Sequence, residues 1–214
     1  MFFLVSCSGS SYQSNFLQSG KISKSRKIPA ETLPSLKLEQ TKEVQYSLKY
    51  FTKIDPKYIQ IAKRNKQNYN DDIIDIFNYY KIPLELINIG IVESKFNPQA
   101  RSIYGAKGIW QFMPTTAKHY GLEVSWINDE RKDPLKSTEA AARMLLDLYE
   151  EFEDWHYVLA AYNSGQSRIR NIRRQHPEKD FWELARAKII PSQTKAFVSR
   201  VIALTILETH KQQL

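Results

Sequence analysis

The chain has 214 residues, 42% of them hydrophobic and 12% aromatic, enough to bury a core without disulfide staples and too apolar for a disordered polypeptide. A formal net charge of +8 implies an anionic partner in general terms: a nucleic acid, an acidic membrane surface or an acidic wall polymer. One cysteine excludes an intrachain disulfide, the four histidines (His119, His156, His176, His210) lack metal-ligand spacing, and no stretch is long enough to span a bilayer as a helix, so no metal and no cofactor is expected.

In chain order, Leu4-Val5-Ser6-Cys7 comes first, a match to the bacterial lipobox, in which the cysteine carries lipid after cleavage. The apolar stretch before it is short and has no basic residue. Cys7 is accordingly expected to be a lipid attachment site that holds the protein at a membrane surface. Residues 8–41 are rich in Ser, Lys, Gln and Pro without a sustained apolar period, which predicts a flexible tether. The folded domain is expected over 42–214. Glycine is scarce, at 7 residues, and alternating apolar runs are few, so the domain is predicted to be all-α.

Helical patterning starts near Glu43 with Val44, Leu48 and Phe51, and a second helix is predicted from Asp55 through Lys66. A third spans Asp71 to Tyr80, with two acids in its first turn. Pro83 is predicted to open a helix that is apolar nearly all round, hence central, and that ends near Glu93-Ser94. Residues 95–113 read as an irregular loop. Pro114 then starts a short helix that Gly121 can end, and Asp133-Pro134 prepares one running to about Phe152. Trp155 to Asn163 forms another, stopped near Gly165. After Pro191, Lys195 to Lys211 places Phe197, Val201, Leu204 and Leu207 on one face. The basic run Arg168–Arg174 reads as a solvated helix face, and no nucleic-acid-binding signature accompanies it.

Glu93 is the position with most chemical content. It ends an apolar run and precedes a polar loop, so its carboxyl would be partly desolvated, which favours the neutral form and raises its pKa. Such a group can donate a proton near neutral pH. Alone, however, the position reads first as a glutamate that flanks a buried helix and points into water.

Three segments weigh against that reading. Glu93-Ser94-Lys95-Phe96-Asn97-Pro98-Gln99-Ala100-Arg101-Ser102, Gly105-Ala106-Lys107-Gly108-Ile109-Trp110-Gln111-Phe112-Met113-Pro114-Thr115-Thr116-Ala117, and Ala160-Ala161-Tyr162-Asn163-Ser164-Gly165, in this order and at these separations, resemble the soluble-lytic-transglycosylase family. These are bacterial enzymes with a lysozyme-like fold that cleave peptidoglycan. Val44-Gln45-Tyr46, Asp129–Pro134 and Asp180–Leu184 resemble a membrane-bound subtype, and the likeness covers about residues 43–207. Ser164 is a small departure, where the family usually has alanine.

The resemblance implies a lytic transglycosylase acting on peptidoglycan glycan strands, with Glu93 as the one residue that both gives and takes a proton. It implies that Ser102 and Gln111 line the groove and bind sugar, and that Tyr162 faces the glutamate. Asn163 is a substrate contact or a tie between helix end and loop. Ser94 is read as a contact beside the acid or a cap, Gly105 and Gly108 as backbone requirements, and Trp110 and Met113 as sugar-packing or core. Asp129, Glu130 and Asp133 are read as loop and cap residues. If Asp129 or Glu130 were a second catalytic carboxylate, the enzyme would be a lysozyme-type muramidase. A non-catalytic wall-binding module is the reading from another class. The expected setting is the periplasmic face of a membrane, the outer one, through a lipid anchor; the expected state is a monomer that binds no nucleic acid.

Overall fold

The computed structural model describes residues 28–212. The lipobox with Cys7 and the tether residues 8–27 lie outside them. Ten α-helices succeed one another among the described residues: α1 (Lys42–Lys49), α2 (Lys57–Lys66), α3 (Asn70–Tyr79), α4 (Asn88–Ser94), α5 (Pro114–His119), α6 (Pro134–Phe152), α7 (Trp155–Ser164), α8 (Gln166–Gln175), α9 (Phe181–Arg186) and α10 (Ser192–Gln212). Among the described residues only isolated bridges of β type occur, Arg101 with Lys107, Lys107 with Phe112, and Val124 with Asp129, so the fold is all-α as expected.

Side chains close the helix starts in the way the sequence announces. Thr41 caps α1, Asp133 accepts from two amides of α6, and Asp154 caps α7. Asp180 and Glu183 form a reciprocal capping box on α9. Three starts differ from the expectation, the last being α10, which begins at Ser192 rather than Lys195. Pro83 precedes a 3-10 turn, Leu84–Ile87, and the α-helix proper begins only at Asn88. The helix expected from Asp55 begins at Lys57, because α1 first runs on through a π-turn over Tyr50–Ile54.

Helices α4, α7 and α10 form the centre. Asn88, Ile89, Gly90 and Ile91 are all buried on α4, and α7 buries every residue from Trp155 to Ala161. Helix α10 packs against α1, α7 and α4. It was expected to bury one face, with Phe197, Val201 and Leu204. Val198, Ile202, Ala203 and Ile206 are buried as well, so it is enclosed on several sides. The basic run forms α8, which places Ile169 in the core and leaves Arg168, Arg170 and Arg174 exposed. Arg170 pairs with Glu151 at 2.5 Å, and Arg173 donates to the Phe152 carbonyl at 2.6 Å.

The tether prediction fails for residues 28–41. Leu36 is buried in the core, its amide donates to Glu85 Oε1 at 3.0 Å, and the Leu33 amide donates to the Lys81 carbonyl at 2.9 Å. Trp155 Nε1 donates to the Pro34 carbonyl at 2.6 Å. His156, buried on α7, sits 2.8 Å from Glu39 and 3.3 Å from Asp154. Burial alone would depress its pKa; the hydrogen bond to Asp154 and the two carboxylate charges outweigh burial and raise it. Buried Leu36, the partly buried Ile28 and Leu33, the Glu39–His156 pair and a few backbone bonds thus strap this polar stretch to the domain.

Leu36→Ala removes the strap's one fully buried side chain and should cost about 2 kcal/mol or more. Limited proteolysis should then cut within 28–41 before the domain melts. Unchanged protection and an unchanged urea midpoint would contradict the docking.

Candidate functional site

The site is built around the end of α4. Gly90 lets the following loop close onto the helix: a Cβ there would lie 2.8 Å from Phe96 Cε2 and 2.9 Å from Ile109 Cγ2. The chain then reverses through two successive left-handed residues, Lys95 (φ 53°) and Phe96 (φ 62°). L-residues other than glycine adopt that conformation at a cost of about 1 kcal/mol each. Several interactions hold it. The Lys95 amide donates to Ile91 and that of Phe96 to Gly90, a Schellman-type closure. Asn65 on α2 donates to the Lys95 carbonyl at 2.9 Å, and the Phe96 ring is buried in the core. Ser94 Oγ donates to the carbonyls of Gly90 and Ile109 and accepts the Asn97 amide, so Ser94 is a cap that joins helix to loop.

Glu93 sits two residues before Lys95, half-buried. Its side chain makes no hydrogen bond or ion pair among the described residues, and burial pushes its carboxyl up to about 7. Burial raises the pKa of two tyrosine phenols, Tyr58 and Tyr162, and each is near enough that the ionised Glu93 carboxylate raises it further. Neither hydroxyl is spent on the carboxylate. Tyr58 donates to the carbonyls of Ile91 and Val92 at 3.0 and 3.1 Å, and Tyr162 donates to the Trp110 carbonyl at 2.8 Å. Lys95 is also turned aside, its ammonium 4.6 Å from the centre of the Tyr58 ring. The result is a desolvated acid with no counter-ion, able to hold a proton near neutral pH and to release it.

The loop 100–112 forms the neighbouring wall. Gly108 has φ +80°, and a Cβ there would lie 1.8 Å from the Arg131 carbonyl oxygen, so only glycine fits. Gln111, itself at φ 49°, donates through Nε2 to the Gly108 carbonyl at 2.8 Å. Ser102 Oγ accepts the Ala106 amide at 3.0 Å, bracing the turn that holds Gly105. Beneath the loop the Arg131 side chain, 3% exposed, donates to the carbonyls of Gly105 and Phe112. Asp129 neutralises it, with one oxygen on Arg131 Nε and the other on Arg131 Nη2 and Lys107. Hydrogen bonds from Arg131 outweigh the burial of Asp129 and hold its carboxyl far below the usual range. Removing one partner of such a buried pair typically costs 3–5 kcal/mol.

Of the residues expected at the site, the fold brings together Glu93 and Tyr162, and joins Gln111 and Ser102 within one braced loop. Asn163 is engaged elsewhere: its Oδ1 accepts from Thr194, which ties α7 to α10. Trp110 is core, 1% exposed, its Nε1 donating to Thr138 Oγ1 at 2.9 Å and its ring stacked on Phe77. Met113 is exposed at the start of α5. Asp133 is a cap, and Glu130 accepts from Lys136 and the Glu123 amide. Tyr58 and Asn65 were not anticipated. With Ala62, the buried residue of this helix, they lie at i, i+4 and i+7 on one face. No cluster suited to a metal ion occurs among the described residues.

The sequence profile of the Transglycosylase SLT domain matches residues 76–185, the span that holds Glu93, the braced loop and Tyr162. Membrane-bound lytic murein transglycosylase D of Escherichia coli (strain K12) is 39% identical over 137 residues, which cover 61% of this chain and 29% of that protein. Peptidoglycan transglycosylase gp16 of Escherichia phage T7 is 38% identical over 88 residues, covering 40% of this chain and 7% of that one. The chain therefore spans less than a third of these curated relatives. An X-ray structure of an inactive mutant of lytic transglycosylase Slt from Pseudomonas aeruginosa superposes with a TM-score of 0.54 at 21% identity, covering 66% of this chain and 24% of that one. That likeness is one of fold, and it bears out the lysozyme-like all-α class. The profile match extends over more than half of the sequence, and the chain belongs to the Transglycosylase SLT domain family.

Proposed function

We propose that this protein is a peptidoglycan lytic transglycosylase that cleaves the β-1,4 bond between N-acetylmuramic acid and N-acetylglucosamine and leaves a 1,6-anhydro-N-acetylmuramic acid end. The observation that carries this reading is the state of Glu93: half-buried, unpaired, and with a carboxyl raised to about 7. In the protonated form Glu93 gives its proton to the glycosidic oxygen as the C1–O bond breaks. The muramyl 2-acetamido group stabilises the cationic C1. The resulting carboxylate then takes the proton of the C6 hydroxyl, whose oxygen bonds to C1. The proton count closes on one residue, no water is consumed, and the attacking hydroxyl is already tethered to the sugar.

The neighbours have supporting roles in this proposal. Tyr162 and Tyr58, each anchored to a backbone carbonyl, wall Glu93 off from water without neutralising it. Ser102 and Gln111 present the braced loop to the sugar. Asn163 is a positioning residue, since its carbonyl oxygen is occupied by Thr194. A muramidase would need a second free carboxylate. Both oxygens of Asp129 and both of Glu130 are engaged, which favours the transglycosylase over the hydrolase. The substrate implies a place in the cell envelope. We further propose that Cys7 carries lipid and holds the protein at the periplasmic face of a membrane, the outer one.

Purified murein sacculi incubated with the full chain should release products ending in anhydromuramic acid, with a rate that falls as pH rises through about 7, because the acid must be protonated. Glu93→Gln should fold normally and release none. Products heavier by one water would make the protein a muramidase, and retention on sacculi without products would make it a binding module. In cells, Cys7→Ala should move the protein from membrane to soluble fractions; unchanged membrane recovery would overturn the anchor.

A further inference from the structure

Two neighbouring turns carry large apolar side chains that nothing in the domain covers. In one, the Ser125 amide donates to the Asn128 carbonyl at 2.8 Å and the Asn128 amide donates to Ser125 Oγ at 2.9 Å. Trp126 and Ile127 stand at its apex, 99% and 91% exposed. In the other, the Gly105 amide donates to the Ser102 carbonyl at 3.1 Å, and the Ser102 amide donates to the Ala106 carbonyl at 2.9 Å. Ile103 and Tyr104 stand at that apex, 91% and 80% exposed. A cluster of bare apolar side chains of this size marks a surface that meets a partner.

Both turns rest on one set of ion pairs. Asp129, bridged to Val124 at the base of the first turn, binds Lys107 at 2.7 Å and Arg131 at 2.8 Å. Arg131 in turn donates to the Gly105 carbonyl of the second turn at 2.8 Å. The apices are therefore fixed before any partner arrives, and covering them costs little ordering entropy.

The chemistry of the tips selects the partner. Side chains so fully exposed project outward; they do not line a groove in which a sugar could be held between aromatic faces and hydrogen-bonding groups. The two isoleucines offer a sugar nothing, whereas they suit acyl chains, and tryptophan and tyrosine suit the headgroup level of a bilayer. Charge points the same way. The nearby carboxylates are spent inside the domain: Asp129 on Lys107 and Arg131, Glu130 on Lys136, and Glu123 on Asn128 Nδ2 at 2.7 Å. Arg101 and Lys132 are exposed, and their side chains make no hydrogen bond or ion pair among the described residues. We propose that the two tips insert into the headgroup region of an anionic lipid bilayer, with Trp126, Ile127, Ile103 and Tyr104 entering the interface and Arg101 and Lys132 meeting lipid phosphates. This surface is separate from the lipid proposed on Cys7 and does not rest on the transglycosylase reading.

The test uses the full chain carrying Cys7→Ala, which removes the acyl anchor from the measurement. Trp126 is its own reporter, because Trp110, Trp155 and Trp182 are buried. Two small tips give reversible binding that washing removes, so vesicles of phosphatidylethanolamine and phosphatidylglycerol are kept in excess. Tryptophan emission should then move to shorter wavelength and be quenched by brominated acyl chains. Ile103→Ser/Ile127→Ser keeps the reporter and should weaken partition about tenfold or more. Arg101→Gln/Lys132→Gln should abolish the preference for these vesicles over neutral phosphatidylcholine ones. Unchanged emission with vesicles, or equal partition of the isoleucine variant, overturns the proposal. A shift produced instead by soluble glycan strands, or by raising the protein concentration alone, also overturns it and assigns the tips to sugar or to a second copy of the chain.

Discussion

Everything at the site depends on how α4 ends. Two left-handed residues in succession, Lys95 and Phe96, turn the chain back sharply enough that the Phe96 ring enters the core beside Gly90. Phe96 and the bonds of Ser94 and Asn65 over-determine a conformation that costs energy in isolation. The return lies next to Glu93, so the carboxyl stops at the boundary between core and loop. It is buried deeply enough to lose solvation and is still reachable from outside.

Partnering separates the acidic groups of this region into two kinds. Asp129 holds Arg131 and Lys107, Glu130 holds Lys136, and Asp133 holds the first amides of α6. These carboxylates keep the loop 100–112 and the start of α6 in place. Glu93 has no such partner, and the two tyrosines beside it spend their hydroxyls on backbone carbonyls. A phenol bonded to the carboxylate would favour its charged form; the observed arrangement leaves desolvation unopposed. The braced loop and the unpaired acid are therefore complementary parts of one site.

Much of this was legible in the residues. The apolar run before Glu93 signals desolvation, and Asp133-Pro134 and Gly165 mark the borders of α6 and α7. The rest depends on contacts distant in sequence, which no local period reports. Residues 28–41 look like a tether because three apolar side chains without a helical period, Ile28, Leu33 and Leu36, and a few backbone bonds dock them. Trp110 was undecided because its indole finds Thr138 twenty-eight residues on. Tyr58 went unnoticed because its role depends on the carbonyls of a helix more than thirty residues away. The Asp55 and Pro83 starts were misplaced because π and 3-10 turns intervene, and neither changes the apolar spacing that announces a helix.

The central claim is that Glu93 is an acid poised by desolvation alone. Carbon-13 NMR of the side-chain carboxyls, with Glu93 assigned by its loss in Glu93→Gln, follows that protonation directly as pH is raised. The account predicts a midpoint near 7 for Glu93. A midpoint near 4.5, the ordinary glutamate value, would mean that water or an unseen partner stabilises the carboxylate, and would contradict it.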